Sequence, residues 1–471
     1  MKKQVVVLIN GFGIEQKRSY AIYDSFLMPN LDHLTQECFF STLKNNAYND
    51  NVGYQYFSTG TDVVPSYLRL DNWLNEQIKV DPTMIEYQKK FNTIEGNIHL
   101  FCMVSNGKVY GHIKEFLNFL NPSNDKKIYL HVILDFPFVD DYREIGKILS
   151  RLNYDLDDKA ILKIVLGKHV LENKTEGSSK DLVRMLYKKF GEQWREIDKK
   201  MAVLEKTKIS PKDVKPFCTD TNFELNDEDT ILFFNYDQLK LNDFMNEVCN
   251  PNQFMNAGKE IHHLNFQSLF PSMNGIPSIY QKNNFDKSFA LNLEKVQKKA
   301  LIVTEKEHVN SINFYLNGYE NRVSPCIRYM TADTPTLLRE DIVKQLLSNN
   351  EDIIMLNYFV DDTDKTEELK EKLRQVDTIL PVLKQICEEN QYSLWITSLY
   401  GMKKEMLSNT NEKVLVDFSE KVPLLFYDDN YLKKSNKLLK GNLYDLHLTL
   451  IKMIHPESNI ISLISKKGMF G

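Results

Sequence analysis

The chain has 471 residues, 42% of them hydrophobic, and a formal net charge of −5 with a pI near 6.1. Such a length can bury a large core in two or more domains, or in one domain inserted into another, and the mild acidity argues against general nucleic-acid binding. No apolar run approaches the ~18–20 residues of a membrane helix and the N-terminus lacks a signal-peptide core, which predicts a cytoplasmic protein without membrane insertion.

Six cysteines (Cys38, Cys102, Cys218, Cys249, Cys326, Cys387) are scattered singly, with no CxxC pair. That pattern fits a reducing compartment without a disulfide framework or zinc knuckle. Glycine is sparse, 18 in 471, against an average of about 7%, which weighs against phosphate-cradling loops.

The first predicted strand is Val5-Val6-Val7-Leu8-Ile9, an apolar β-branched run of the kind buried on both faces of a parallel sheet. The turn Asn10-Gly11-Phe12-Gly13 follows at its C-terminal end, where open α/β sheets place their ligands. Residue 10 therefore faces a candidate active site. A metal enzyme would want a carboxylate there, and the chain supplies an amide. Met28 to Leu34 opens a helix, with Pro29 or Asn30 at its start. Strands are predicted at Ile98–Val104, Ile128–Leu134 and Ile231–Tyr236, with amphipathic helices at Gly111–Leu120 and Ser179–Glu205. Further strands follow at Ala300–Val303, Ile353–Asn357 and Tyr392–Thr397, with a long helix over Lys365–Glu389. This alternation predicts an α/β protein with a doubly wound, mainly parallel sheet. The polar segments Lys79–Pro82 and Lys282–Lys287 are the natural seams, and no internal repeat is visible.

The order of signals resembles cofactor-independent phosphoglycerate mutase, of the alkaline phosphatase superfamily, nearly end to end. Asn10-Gly11-Phe12-Gly13 is similar to that family's Asp-Gly-Trp-Gly, and Asn49-Asp50-Asn51-Val52-Gly53-Tyr54 to its nucleophile loop Asn-Ser-Glu-Val-Gly-His. Val104 to His112 is similar to its Val-Ser-Asp-Gly-Gly-Val-His-Ser-His, and Phe233-Phe234-Asn235-Tyr236 to its Phe-Phe-Asn-Phe-Arg. Thr304-Glu305-Lys306, with Asn317-Gly318 after it, is similar to its Glu-Thr-Glu-Lys to Phe-Asn-Gly segment. The resemblance implies an alkaline-phosphatase-like domain split between residues 1–78 and 288–471. A second α/β domain would be inserted over 79–287.

The family's reaction implies two divalent metals that activate a serine, which moves phosphate between two hydroxyls. Mapped onto this chain, the implied ligand positions are Asn10, Asp362, Thr366, Leu399, Tyr400 and Asp417, with Asp50 at the nucleophile. Only Asp362 is retained and no histidine ligand survives, so neither metal nor catalytic residues are expected. The substrate side is eroded too: Tyr110 replaces a histidine, Pro137 and Phe138 an Arg-Asp pair, and Asp237 an arginine. Lys306, Lys174, Lys180 and Lys240 could leave a weak site for a phosphorylated ligand, without the bidentate fork of arginine. Several replacements (Leu399, Tyr400, Tyr54, Tyr110, Phe138) run toward apolar or aromatic types, which predicts a filled cleft.

Simpler readings compete at each residue. Asp50 could accept a phosphoryl group or cap a helix, and Asp50, Asp362 and Asp417 could hold Mg²⁺ or Mn²⁺ or stand as solvated acids. His262-His263 reads as polar loop, and His112 and His131 as buried satisfied histidines. The run from Lys199 to Lys215 reads as a solvated helical face. The expectation is a pseudoenzyme, a binding or scaffolding subunit with a protein partner in a cytosolic assembly. The alternative is a phosphoryl-transfer enzyme rebuilt around Asp50, Asp362, Asp417 and Lys306, and intact mutase activity ranks last.

Overall fold

The structure, a computed structural model, describes residues 2–13, 27–45, 47, 50–61, 80–104, 113–120, 127–134, 159–171, 186–187, 210–218, 225–235, 241–250, 263–280, 288–360, 366–401, 403–407, 413–418, 421–432 and 440–456. The chain divides into two compact units. The first comprises Met1–Pro65, Asn284–Lys404 and Asp417–Gly471, and the second Ser66–Asn283 with Glu405–Val416.

In chain order the strands begin with β1 (Gln4–Asn10), β2 (Phe39–Lys44), β3 (Ile98–Val104), β4 (Ile128–Leu134), β5 (Ile161–Gly167), β6 (Phe217–Cys218), β7 (Thr230–Phe234) and β8 (Asn265–Ser268). They continue with β9 (Ala300–Thr304), β10 (Ile327–Thr331), β11 (Ile353–Phe359), β12 (Ser393–Thr397), β13 (Lys403–Leu407), β14 (Lys413–Phe418), β15 (Lys421–Tyr427) and β16 (Lys440–Asn442). The principal helices are α1 (Pro29–Glu37), α2 (Asp50–Thr59), α3 (Pro82–Thr93), α4 (Ile113–Leu120) and α5 (Asn242–Cys249). After them come α6 (Phe289–Val296), α7 (Val309–Leu316), α8 (Glu340–Leu347), α9 (Thr366–Glu389) and α10 (Asp445–Ile454).

The first unit's sheet runs β10-β9-β11-β1-β12-β15-β2-β16. It is parallel from β10 to β12, antiparallel where β15 meets β12 and β2, and parallel again at β16. The second unit's sheet runs β6-β5-β4-β3-β7-β8 and is parallel except for β6. Strands β13 and β14 pair with each other. The molecule is thus α/β with mainly parallel sheets, as the alternation of apolar runs and amphipathic segments dictates.

β1 is buried along its whole length between β11 and β12. Its Val5, Val7 and Ile9 join Leu356 and Tyr358 of β11 in one core with Leu31 and Leu34 of α1 and Leu373, Val376 and Leu380 of α9. Gln4, at the strand's polar start, accepts a hydrogen bond from Trp395 Nε1 at 2.9 Å. At the other end Gly11, with φ of +92°, reverses the backbone, and Phe12 N–H closes the turn on Ile9 O at 3.1 Å. A side chain at position 11 would be strained there, which is why the turn needs glycine.

Some strands escape a periodicity reading. β15 carries Pro423 opposite Thr42, a residue normally kept out of strand interiors; its carbonyl accepts the Thr397 hydroxyl at 2.6 Å. The expected solvated helix over Lys199–Lys215 is not what the described part forms. Pro211–Asp213 is a single 3-10 turn with Pro211 buried, and β6 follows. Pro211 and Pro216 both lack an N–H and so cannot continue a helix. The Ser179–Glu205 helix falls almost wholly outside the described residues, as do Lys282–Lys287 and His262, while His263 is exposed.

The N-terminus of α1 is capped from a distance. Met28 offers no side-chain cap, and the Asp377 carboxylate of α9 instead accepts the N–H groups of Asn30 at 2.9 Å and Leu31 at 2.8 Å. Asp377 is 2% exposed, so its removal leaves orphan donors in the core. Asp377→Ala is expected to lower stability by about 2 kcal/mol, read from the denaturant midpoint at unchanged slope.

Candidate functional site

The C-terminal ends of β9, β11, β1 and β12 converge where α2 begins. Leu8 of β1 lies level with Asn357 of β11 and Asn10 level with Phe359, so Asn10 and Asn357 project from one face of the sheet. Neither is exposed. Asn10 Nδ2 donates to Asn357 Oδ1 at 3.4 Å, and Asn357 Nδ2 donates to Val303 O of β9 at 2.9 Å. The fully buried Tyr54 hydroxyl, on α2, donates to the same Asn357 oxygen. Asn10 Oδ1 is buried without a hydrogen-bond partner.

The segment after β12 closes the other side. Leu399 is unexposed and Tyr400 is 3% exposed. Asn45 Nδ2 donates to Leu399 O at 2.9 Å while its own oxygen accepts the Ala47 N–H at 2.8 Å. Ser398 Oγ donates to Tyr400 O at 2.5 Å. Gly53 lies so close that a Cβ built on it would sit 2.6 Å from Leu399 O and 2.7 Å from Leu399 Cβ. Glycine is therefore required in the middle of α2 for packing, despite its poor helix propensity.

Helix α10 holds α2 from behind. His447 Nδ1 donates to Phe57 O, and its Nε2 accepts Asn292 Nδ2 of α6 at 3.0 Å. Both ring nitrogens are satisfied only in the neutral tautomer, and burial pushes the imidazole down to about 4.

Among the described residues, charged side chains lie beside this neutral floor. Glu305, half-buried just after β9, accepts the backbone N–H and hydroxyl of Thr334 at 3.2 and 3.3 Å. Lys306 and Glu307 are exposed, and His308 lies flat on Phe359 with ring centroids 3.9 Å apart. Glu305, Glu307 and His308 could place ligand atoms within 4.8 Å of one another, although Glu305 is already engaged with Thr334.

Of the residues singled out in the sequence, the structure joins Asn10 and Tyr54 on Asn357, packs Leu399 against Gly53, buries Tyr400 and leaves Lys306 on the surface. Asp50 and Thr366 are the first residues of α2 and α9 and Asp417 lies in β14, their side chains falling outside the description. Asp362, Lys174, Lys180, Lys240, Tyr110, His112, Pro137, Phe138 and Asp237 lie outside the described residues. His131 is buried, as its apolar strand implies. Sequence reasoning passed over Asn357, His447 and Asn292; an amide interrupting the apolar run Ile353–Phe359 was the available signal for the first.

Two divalent cations need several carboxylate or imidazole ligands. The described floor offers an amide oxygen already accepting two donors, one orphan amide oxygen, and the leucine side chain at position 399. That donor set does not fit a divalent pair.

A profile described as the N-terminal region of BPG-independent phosphoglycerate mutase matches residues 72–270. The 2,3-bisphosphoglycerate-independent phosphoglycerate mutase of Mycoplasmopsis synoviae is 24% identical, covering 99% of this chain and 100% of its own. That of Clostridium tetani is 22% identical over 96% of each chain. A phosphoglycerate mutase from Leishmania mexicana, crystallised at low cobalt concentration, superposes with a TM-score of 0.72 at 14% identity, covering 98% of this chain and 97% of that one.

Two outcomes test the packing. Tyr54→Phe leaves Asn357 Oδ1 with a single long hydrogen bond and should destabilise by about 1–3 kcal/mol; Gly53→Ala, which must push the Leu399 backbone away, should exceed that. Both are read by chemical denaturation. For His447 the folded value, about 4, lies below the 6.5 of the free imidazole, so its contribution is complete above pH 6.5 and is lost as the pH falls toward 4. The loss should total about 3 kcal/mol, and His447→Gln, with no proton to take up, should show that much less pH dependence in its denaturant midpoint.

Proposed function

We propose a non-catalytic role for this chain, which is a distant homologue of the cofactor-independent phosphoglycerate mutases in the alkaline phosphatase superfamily. In this reading it is a pseudoenzyme that keeps the fold and serves as a binding or scaffolding subunit of a protein assembly, without a catalytic metal. One observation carries the reading: the buried contact of Asn10 and Tyr54 with Asn357, where the family's chemistry needs charged ligands. Leu399 against Gly53 supports it, because the backbone approach leaves no room for a larger side chain there. Fold and function are separable, so a retained sheet is compatible with lost chemistry. No helix of the described residues is long and apolar enough to cross a membrane, which suits a partner met in solution.

The test uses the purified full-length chain. Metal analysis after incubation with Mn²⁺ and desalting should find far less than one ion per chain, and phosphoglycerate interconversion should not exceed the uncatalysed rate. Affinity capture from the native host should recover a partner at fixed stoichiometry. Stoichiometric metal that is lost in Asp362→Ala overturns the proposal in favour of a phosphoryl-transfer site rebuilt around Asp50, Asp362, Asp417 and Lys306.

A further inference from the structure

The second unit holds a row of titratable side chains unrelated to the floor described above. Adjacent strands β5, β4 and β3 carry Lys163, His131 and His99, and Asp229 directly precedes β7, next in the sheet. All four are at most 2% exposed. His99 Nε2 lies 3.4 Å from Asp229 Oδ2, and its Nδ1 lies 3.1 Å from His131 Nε2. Asp229 also accepts the backbone N–H groups of Asn97 and Asn226, each at 2.7 Å. Lys163 enters through a slip in pairing: Leu130 is level with Leu162 but His131 with Ile164. The skipped lysine lies over the Tyr129 ring, 5.6 Å from its centroid. The other faces are aromatic. Tyr129 is 5.1 Å from the His99 ring, Phe101 stacks on His131 at 4.5 Å, and Phe244 of α5 meets Phe101 at 5.1 Å.

The bond between the imidazoles limits how many protons the row can hold. With Nε2–H of His99 directed at Asp229, its Nδ1 is the acceptor for Nε2–H of His131. One added proton can be accommodated if His99 becomes the donor to His131. A second sets N–H against N–H, and with Lys163 leaves three cations facing one carboxylate in a dry interior.

We propose that this row is an acid-sensitive latch of the second unit, joining β3 to β4 while His131 is neutral and releasing them when the row takes up protons. Burial, His99 and Lys163 hold the His131 imidazole well below the ordinary 6.5. The opened strands take up that proton near pH 6.5 and the closed ones do not. Closure is therefore favoured above that pH and weakens below it, by up to about tenfold per pH unit.

Hydrogen exchange of the full-length chain, corrected for intrinsic rates, tests this on peptides covering 98–104 and 128–134. Protection in both should fall about fivefold between pH 6.5 and 5.5, approaching tenfold per unit below that, and His131→Phe, which keeps the ring stack, should abolish the fall. Should that variant not fold, ¹³C-histidine NMR of the native chain decides: the His131 resonance should stay at its neutral position through this range. Protection independent of pH, an equal slope in His131→Phe, or a His131 resonance titrating near 6.5 in the folded chain would each overturn the latch.

Discussion

The hydrogen bond from Tyr54 to Asn357 ties α2 to the strand beside β1, and the other contacts at that end of the first unit's sheet are arranged around it. The phenol seats the first half of α2 against β11. Gly53 then meets the Leu399 backbone, and Asn45 can reach Leu399 O. Behind the helix, His447, itself held by Asn292, donates to Phe57 O, so α2 is fixed on two sides by neutral donors and acceptors. A single buried oxygen, Asn357 Oδ1, is the common acceptor on the sheet side. Losing a donor to it is unfavourable because water cannot reach the site to replace it.

Much of this was legible in the residues, and the limits have physical causes. β1 is a continuous apolar run from Val5 to Ile9 and Asn10 stands at its end, so its place at the mouth of the sheet follows from parallel-sheet geometry alone. The replacement of ligand types by Leu399 and Tyr400 pointed toward a filled site, and both are buried. What the sequence could not convey is pairing across hundreds of residues. Asn357 reads as a lone polar residue in a strand, and only the register with Leu8 brings it under Tyr54. α2 contains Gly53 and ends in Ser58-Thr59, a composition that propensity assigns to a loop. Pro423 hid β15 for the same kind of reason, since its lost donor matters only if the ladder needs it.

Both units keep histidine neutral in the interior. His447 has each ring nitrogen satisfied, and the row through His131 works only while one facing nitrogen lacks a proton. Neutral imidazole is a compact donor–acceptor that can bridge two elements without importing a full charge. The same choice appears at the floor of the first unit's sheet, where amides and a phenol do the bridging. Asp377 and Asp229 are the counterexamples that define the rule: each buried carboxylate collects backbone N–H groups.

That rule also accounts for the residue at position 10. A carboxylate there, with no exposure and no N–H groups aimed at it, would be a bare charge in the core unless a cation sat beside it. The asparagine leaves one orphan amide oxygen, a penalty of about 1–3 kcal/mol, where an uncompensated carboxylate would be costlier by several kcal/mol. A site built this way has a direction of change. When compensating cations are no longer bound, carboxylates at the floor become liabilities, and amides, phenols and leucine are the substitutions that let the sheet close. Val5, Val7 and Ile9 of β1 face the opposite core, so the strand's packing on that side does not depend on which residues occupy the floor.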